Sequence, residues 1–330
     1  MYSEEDIASA IKADILTNET ATAFRAHVEQ RKSSSAVDEE HFRLITGFND
    51  IFVVIACLLL LASVAWIGAT ITPWLGAATV SAVAWLLAEF FIRKRRMALP
   101  AIVLLLAFVG GVLAASIIFL DKSGHSFIVA SALASAAAGL HWWRFQVPIT
   151  VAAGTAAVVG CIIAFLFITF PETRSWASSL SFIAGITIFA LAIKWDATDT
   201  LRQTRRSDVA FWLHLLAAPL LVHPVFASLG VFSGQPMPVQ AVSVLALYVA
   251  IALISLSIDR RALMVSALAY VLYTFSALLE QFGVVSLSFA ITALVIGSAL
   301  LVLSAFWHPS RAFVLRLFPV AIQNRLAPFR

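Results

Sequence analysis

After about fifty residues of mixed character, the chain becomes a succession of long apolar runs divided by short polar turns. Ten runs stand out, at 51–71, 74–92, 98–120, 126–143, 147–170, 176–194, 208–230, 238–258, 262–279 and 284–306. A membrane-crossing helix needs roughly 20 mostly apolar residues, within a range of about 17–25, and every run falls in or near that window. The runs are continuously apolar, as in IFVVIACLLLLASVAWIG from residue 51. Strands of a lipid-facing barrel would instead alternate apolar and polar residues over about 10 positions. The pattern therefore predicts an all-α fold: a polytopic transmembrane bundle of about ten spans.

The flanks read differently. Three segments are expected: a cytosolic helical hairpin, linker and interfacial helix at 1–49, the ten-span domain at 50–306, and a basic interfacial tail at 307–330. Ser3 followed by Glu4, Glu5 and Asp6 has the form of a helix cap with an acidic first turn, and Ile7, Ile11 and Ile15 recur at helical spacing. LTNET makes a break with a new cap, after which Ala21, Phe24 and Val28 repeat the spacing. A DNA-binding helix-turn-helix is the sharper reading of this hairpin, but a third helix is missing and acids outnumber bases. DEEHFRLITGFND then leads into the first span as an interfacial helix. Residues 1–32 hold no apolar stretch of signal-peptide type, so no cleavable signal is expected. The tail, WHPSRAFVLRLFPVAIQNRLAPFR, mixes Arg with apolar residues, and its arginines form no single helical face. Anionic lipid is its expected partner, at about 1 kcal/mol per basic residue.

Composition changes this picture little. Of 330 residues, 61% are hydrophobic and 12% charged, about half the charge of a soluble domain. The net charge of +4 matters less than where the charges lie. With the N-terminus in the cytosol, 20 of the 22 Lys and Arg fall on the cytosolic side, and only Lys122 and Arg174 lie outside. That bias supports both the span count and an orientation with both termini cytosolic. Cys57 and Cys161 sit inside apolar runs, where they act as small hydrophobes. The turns FFIRKRRMALPAIVL, HWWRFQVPITVAAG and SLSIDRRALMVSALA share one layout of helix, basic turn, helix. Positive-inside selection alone can produce it, so no inverted repeat is inferred.

Ionisable residues within membrane segments are the natural markers of function. Glu89 lies four residues before Arg93, the spacing of a helical ion pair. Asp50, Asp259 and Glu280 sit at span ends, and no carboxylate occupies a span centre, which argues against a proton antiporter built on a central acid. Asp196 and Asp199, in the longest cytosolic connection, share a helical face. They suit either a metal or phosphate site or a solvated helix in which Asp199 pairs with Arg202. The seventh run, RRSDVAFWLHLLAAPLLVHPVF, offers Asp208, Trp212, His214, Pro219 and His223 as a candidate polar pocket. Counted from Asp208 at 1.5 Å per residue, His214 is about 9 Å and His223 about 22 Å into the span. Asp208, Trp212, Pro219 and His223 share one face, and His214 points the other way. Pro219 removes a backbone hydrogen bond and predicts a kink, tolerated in a bilayer only where protein or a hydrated cavity covers it. No HExxH motif and no pair of facing membrane histidines occurs, so neither metal nor cofactor is called for.

EEHFRLITGFNDIFV, RRSDVAFWLHLLAAPLLVHP and SALLVLSAFWHPSR together resemble a broad set of uncharacterised bacterial polytopic inner-membrane proteins that carry a short cytosolic helical N-terminal segment. The resemblance implies a bacterial inner-membrane setting and assigns no site residues. Three functions remain open: a conduit for a small solute or ion, a scaffold or accessory subunit of a membrane complex, and a membrane-embedded enzyme. Expected partners are anionic lipid headgroups at the basic turns and tail, with a second copy or a membrane complex as protein partner and no nucleic acid. Single cysteines placed at 121–125 and 233–237 should react with an impermeant thiol reagent in intact cells, and one at 93–96 should not; the reverse pattern would overturn the orientation.

Overall fold

In hydrocarbon a backbone has only itself to bond to, so apolar runs of spanning length close their hydrogen bonds as helices. The computed structural model of the chain describes residues 4–24, 48–120, 124–199, 204–230, 238–281 and 288–318, and among these it is helical with no strand. The chain divides into two compact units, Met1–His41 and Phe42–Arg330.

In the first unit, α1 spans Glu4–Lys12 and stops at Asp14, whose φ of 59° is left-handed. The chain is helical again from 18 to 24, where the Thr20 amide donates to Thr17 Oγ1 at 3.2 Å, the cap expected of LTNET. Ile7 and Ala21 are buried, but Ile15 is 76% exposed. The stripe Ile7–Ile11–Ile15 is therefore broken: the helix ends before Ile15, and the left-handed turn carries that side chain away. Val28 and most of the interfacial segment at 38–47 lie outside the described residues.

The second unit contains α2 (Phe48–Ile71), α3 (Pro73–Ala88, continuing as a π-helical turn Glu89–Lys94), α4 (Ala98–Phe119), α5 (Gly124–Phe145) and α6 (Ile149–Thr169). There follow α7 (Ala177–Ala197, entered through a 3-10 turn Pro171–Trp176), α8 (Arg205–Ser228), α9 (Pro238–Ile258), α10 (Ala262–Gln281), α11 (Ser288–Ala305) and α12 (Trp307–Leu315). Among the described residues, eight helices, α2 to α9, are long and apolar enough to cross a membrane, which fits a multi-pass membrane protein. The ninth and tenth predicted segments are also helices. The apolar part of α10, Ala262–Ala277, is shorter, and α11 meets the following short helix at a 76° bend.

The helices form a row of hairpins. α3 packs on α4, α5 on α6, α7 on α8 and α9 on α10, and each hairpin leans on the next, with α8 also against α6 and α10. Among the described residues, α2–α4 at one end share no packed face with α9–α12 at the other. Helices in lipid gain nothing by hiding apolar surface from water, so close approach and interhelical hydrogen bonds must hold them. Neighbours along the row carry such bonds: Thr79 Oγ1 donates to the Val64 carbonyl at 3.2 Å, Ser81 Oγ to Phe108 at 3.1 Å, Cys161 Sγ to Ile128 at 3.5 Å and Ser181 Oγ to Leu220 at 3.4 Å.

The three turns that look alike in sequence also close alike. Each places a non-glycine residue in the left-handed region: Arg96 at φ 53°, Gln146 at 52° and Asp259 at 58°. At the last, the amides of Asp259 and Arg260 return to the carbonyls of Leu256 and Ser255 at 3.3 and 3.0 Å, the paired bonds of a helix C-cap usually built on glycine. The tail departs from expectation. Its first part, α12, packs against α9 with Trp307, Arg311 and Leu315 buried, because Asp259 supplies a partner for its polar groups. Residues beyond 318 lie outside those described.

At Gly185 a Cβ would stand 2.9 Å from Leu221 Cγ and 3.0 Å from the Leu220 carbonyl carbon, whereas at Gly110 nothing lies within 4 Å. Gly185→Ala should lower unfolding stability in detergent by about 1–3 kcal/mol through overpacking. Gly110→Ala should be neutral or gain up to about 1 kcal/mol. Equal effects would contradict the packing of α7 on α8.

Candidate functional site

The densest polar cluster lies where the last turn of α7, the first turns of α8 and the turn before α10 converge. Asp196 is on the final turn of α7, one residue before the helix ends at Ala197. The connection that follows is set by Asp199, whose carboxylate accepts from the Thr204 amide at 2.8 Å and from Thr204 Oγ1 at 2.6 Å. Thr204 in turn accepts from the Arg206 amide at 3.3 Å and caps α8. This fixes the register in which α8 begins, and with it the height of His214.

His214 Nε2 lies 2.9 Å from Asp196 Oδ2. Arg260 grips the same carboxylate with both ends of its fork, Nη2 at 2.6 Å from Oδ1 and Nε at 3.3 Å from Oδ2. Its Nη2 also donates to the Ser207 carbonyl of α8 at 3.1 Å. The histidine and arginine side chains are almost wholly buried, while the Asp196 side chain keeps 20% of its surface exposed. Phe189 packs edge-on to the imidazole at 5.2 Å. The result is a carboxylate held by two donors from two other elements, with its own flank open. Such a group can bind or release a cation or a proton-bearing solute at that flank, and any change in its charge is felt at once by α8 and by the turn before α10.

The sequence candidates do not gather into one pocket. α8 runs unbroken through Pro219 and Pro224. His214 lies on its buried face, whereas Pro219 and His223 are exposed and Asp208 and Trp212 are half-buried. Trp212 packs between the α5–α6 and α7–α8 hairpins. His223 Nδ1 lies 2.9 Å from the Tyr270 hydroxyl, on the other side of the helix from the Asp196 cluster. Asp196 and Asp199, placed together by spacing, face different partners because α7 stops between them. Arg202 lies outside the described residues. Among the described residues no group of three or more His, Cys, Asp or Glu is placed to hold a metal ion.

Glu89 forms a second cluster. Besides Arg93 Nη1 at 3.0 Å, it receives Arg144 Nε at 2.7 Å on Oε1 and Arg144 Nη2 at 3.0 Å on Oε2. Asp259 forms a third, accepting from Trp307 Nε1 at 2.9 Å with Arg311 Nε at 3.5 Å. Sequence reasoning missed Arg144, Asp259 and Arg260 as site residues and counted the two arginines only as topology signals. An acid directly beside two arginines at 259–261 was the available signal. It also missed His141, which is fully buried with Nδ1 3.2 Å from Thr150 Oγ1, among Trp85, Phe108 and Phe145.

An all-α, multi-pass fold with a three-element carboxylate cluster is thus the class this chain defines. Compared with protein-family models, with curated proteins and with solved structures, the chain has no match.

Removing one partner of a buried ion pair costs about 3–5 kcal/mol, while replacing the whole pair with apolar groups is often neutral. With Asp196 partly exposed, Arg260→Met should cost about 3 kcal/mol in detergent unfolding. Adding Asp196→Leu should recover at least about 1 kcal/mol of that, a coupling that only directly interacting residues give. Additive losses would dissolve the pair.

Proposed function

We propose that the protein is a conduit for a small solute or ion, and that Asp196, held by His214 and Arg260, is its polar switch. In this reading the chain spans a bacterial inner membrane ten times. The basic turns and both termini are cytosolic, and the candidate cluster sits at the cytosolic end of the bundle. One observation carries the proposal: a part-exposed carboxylate is bonded to a buried imidazole and a buried guanidinium between α7, α8 and the turn before α10. Stability does not account for them, since well-packed apolar residues commonly replace such groups without loss. Ionisable groups in membrane segments belong by default to a pathway or a coupling site. The open flank of Asp196 gives such a pathway an entrance.

The row of hairpins favours a second reading, an accessory or scaffold subunit, because a row offers two long faces for protein contact. Purified protein in vesicles, tested for flux of small neutral, anionic and cationic solutes, separates the two. A conduit should speed at least one class over protein-free vesicles, and Asp196→Asn and His214→Gln, both folded, should each cut that flux tenfold or more. No flux in any class, with a stoichiometric protein partner retained in mild detergent, would replace the conduit by the accessory subunit.

A further inference from the structure

The turn between α3 and α4 carries the largest contiguous charge of the described residues. Arg93, Lys94, Arg95 and Arg96 follow one another and are all exposed. The local acid is already taken: Glu89 is held by Arg93 and by both donors of Arg144. Among the described residues no carboxylate pairs with Lys94, Arg95 or Arg96. Three cations therefore stand at the end of a membrane-spanning helix with no carboxylate among the described residues paired to them.

Their arrangement is not that of a loose basic loop. The backbone from Glu89 to Lys94 is π-helical, a form that widens one turn and is frequent at functional sites. The wider turn sets Lys94 and Arg95 back over Phe90, with Lys94 Nζ 5.9 Å and Arg95 Cζ 5.7 Å from its ring centroid. Phe90 is itself 42% exposed and packs edge-on to Phe91 at 5.1 Å. An exposed aromatic ring below a pair of cations matches the boundary between acyl chains and headgroups, where amphipathic side chains settle. Arg96 follows with a left-handed backbone, φ 53°, which ends the helix on a third exposed cation next in sequence.

We propose that this turn is a specific site for a phospholipid headgroup bearing two phosphates, with its acyl chains against Phe90. Two phosphates match three cations in charge better than one phosphate does. Guanidinium groups bind phosphate through paired donors, and ammonium binds it as a point charge. A cation near an anionic membrane surface strengthens attachment by about fivefold, so three together give about a hundredfold. The site is independent of the Asp196 cluster and of what the conduit carries.

The test is native mass spectrometry of the full-length protein with added cardiolipin, phosphatidylglycerol or phosphatidylcholine. The site variant is Lys94→Ser/Arg95→Ser/Arg96→Ser. Its control, Lys194→Ser/Arg206→Ser/Arg316→Ser, removes the same charge from exposed positions elsewhere on the basic side. Cardiolipin should bind the wild type at least tenfold more tightly than phosphatidylcholine. The site variant should lose tenfold to a hundredfold of that affinity and the control less than threefold. Arg95→Ala alone, which keeps three of the four cations and spares the fold, should lose about fivefold. Glycerophosphate should not compete at millimolar concentration, because it has no chain to lie on Phe90. Equal losses in site variant and control would reduce the site to diffuse surface charge. Competition by glycerophosphate would make the ligand a soluble phosphate, and short single-stranded RNA bound with the same variant dependence would make it a nucleic acid. Each of these results overturns the proposal.

Discussion

A largely enclosed carboxylate must be matched by donors that come to it, and the donors to Asp196 come from other elements of the bundle. Asp196 is matched by His214 of α8 and Arg260 from the turn before α10, and the placement of α7 relative to the C-terminal hairpins depends on that match. The same device recurs along the row at the end where the basic turns lie. Arg144, at the end of α5, reaches Glu89 at the end of α3. Arg205, at the start of α8, reaches Gln146 after α5 at 2.7 Å. Asp259, at the end of α9, holds Trp307 of α12, and Arg261 lies over the Trp307 ring at 4.6 Å. Each basic turn is bonded to the next hairpin, so a line of side-chain bonds ties the row together at one end.

The magnitudes divide the labour. Within a membrane, a single interhelical hydrogen bond contributes about 0.6 kcal/mol on average, and contacts of that kind join neighbouring helices, as Ser181 joins α7 to the Leu220 carbonyl of α8. Breaking a buried ion pair costs several times more. Helices within a hairpin are thus held by close approach and weak bonds, whereas between hairpins the Asp196–Arg260 ion pair stands at the basic end and the His223–Tyr270 bond joins α8 to α10 farther along.

Much of this was legible in the sequence. Apolar run length located the eight helices of spanning length among the described residues, α2 to α9, because length and continuity are local properties of the chain. The likeness of the turns at 90–104, 141–154 and 255–269 is matched by their three left-handed residues, Arg96, Gln146 and Asp259. What was not legible is pairing at a distance. Asp196 and Arg260 are separated by 64 positions and Glu89 and Arg144 by 55, and no periodicity links them. Helical angles separated His214 from His223 correctly in direction, but angles alone do not say which face meets protein. The structure buries His214 and exposes Pro219 and His223, so the polar residues of α8 serve two surroundings. The burial of α12 was hidden for the same reason: the acid that receives Trp307 lies 48 positions upstream.

Cross-linking across the joints tests this arrangement most directly. In a background of Cys57→Ser and Cys161→Ser, the pair Gln146→Cys with Arg205→Cys joins hairpins that should be neighbours, and Glu89→Cys with Arg205→Cys joins hairpins that should not. A short bis-maleimide applied to protein in native membranes should cross-link the first pair in high yield and leave the second as free thiols. Equal cross-linking of both pairs, or of the second alone, would contradict a row of hairpins latched turn to turn.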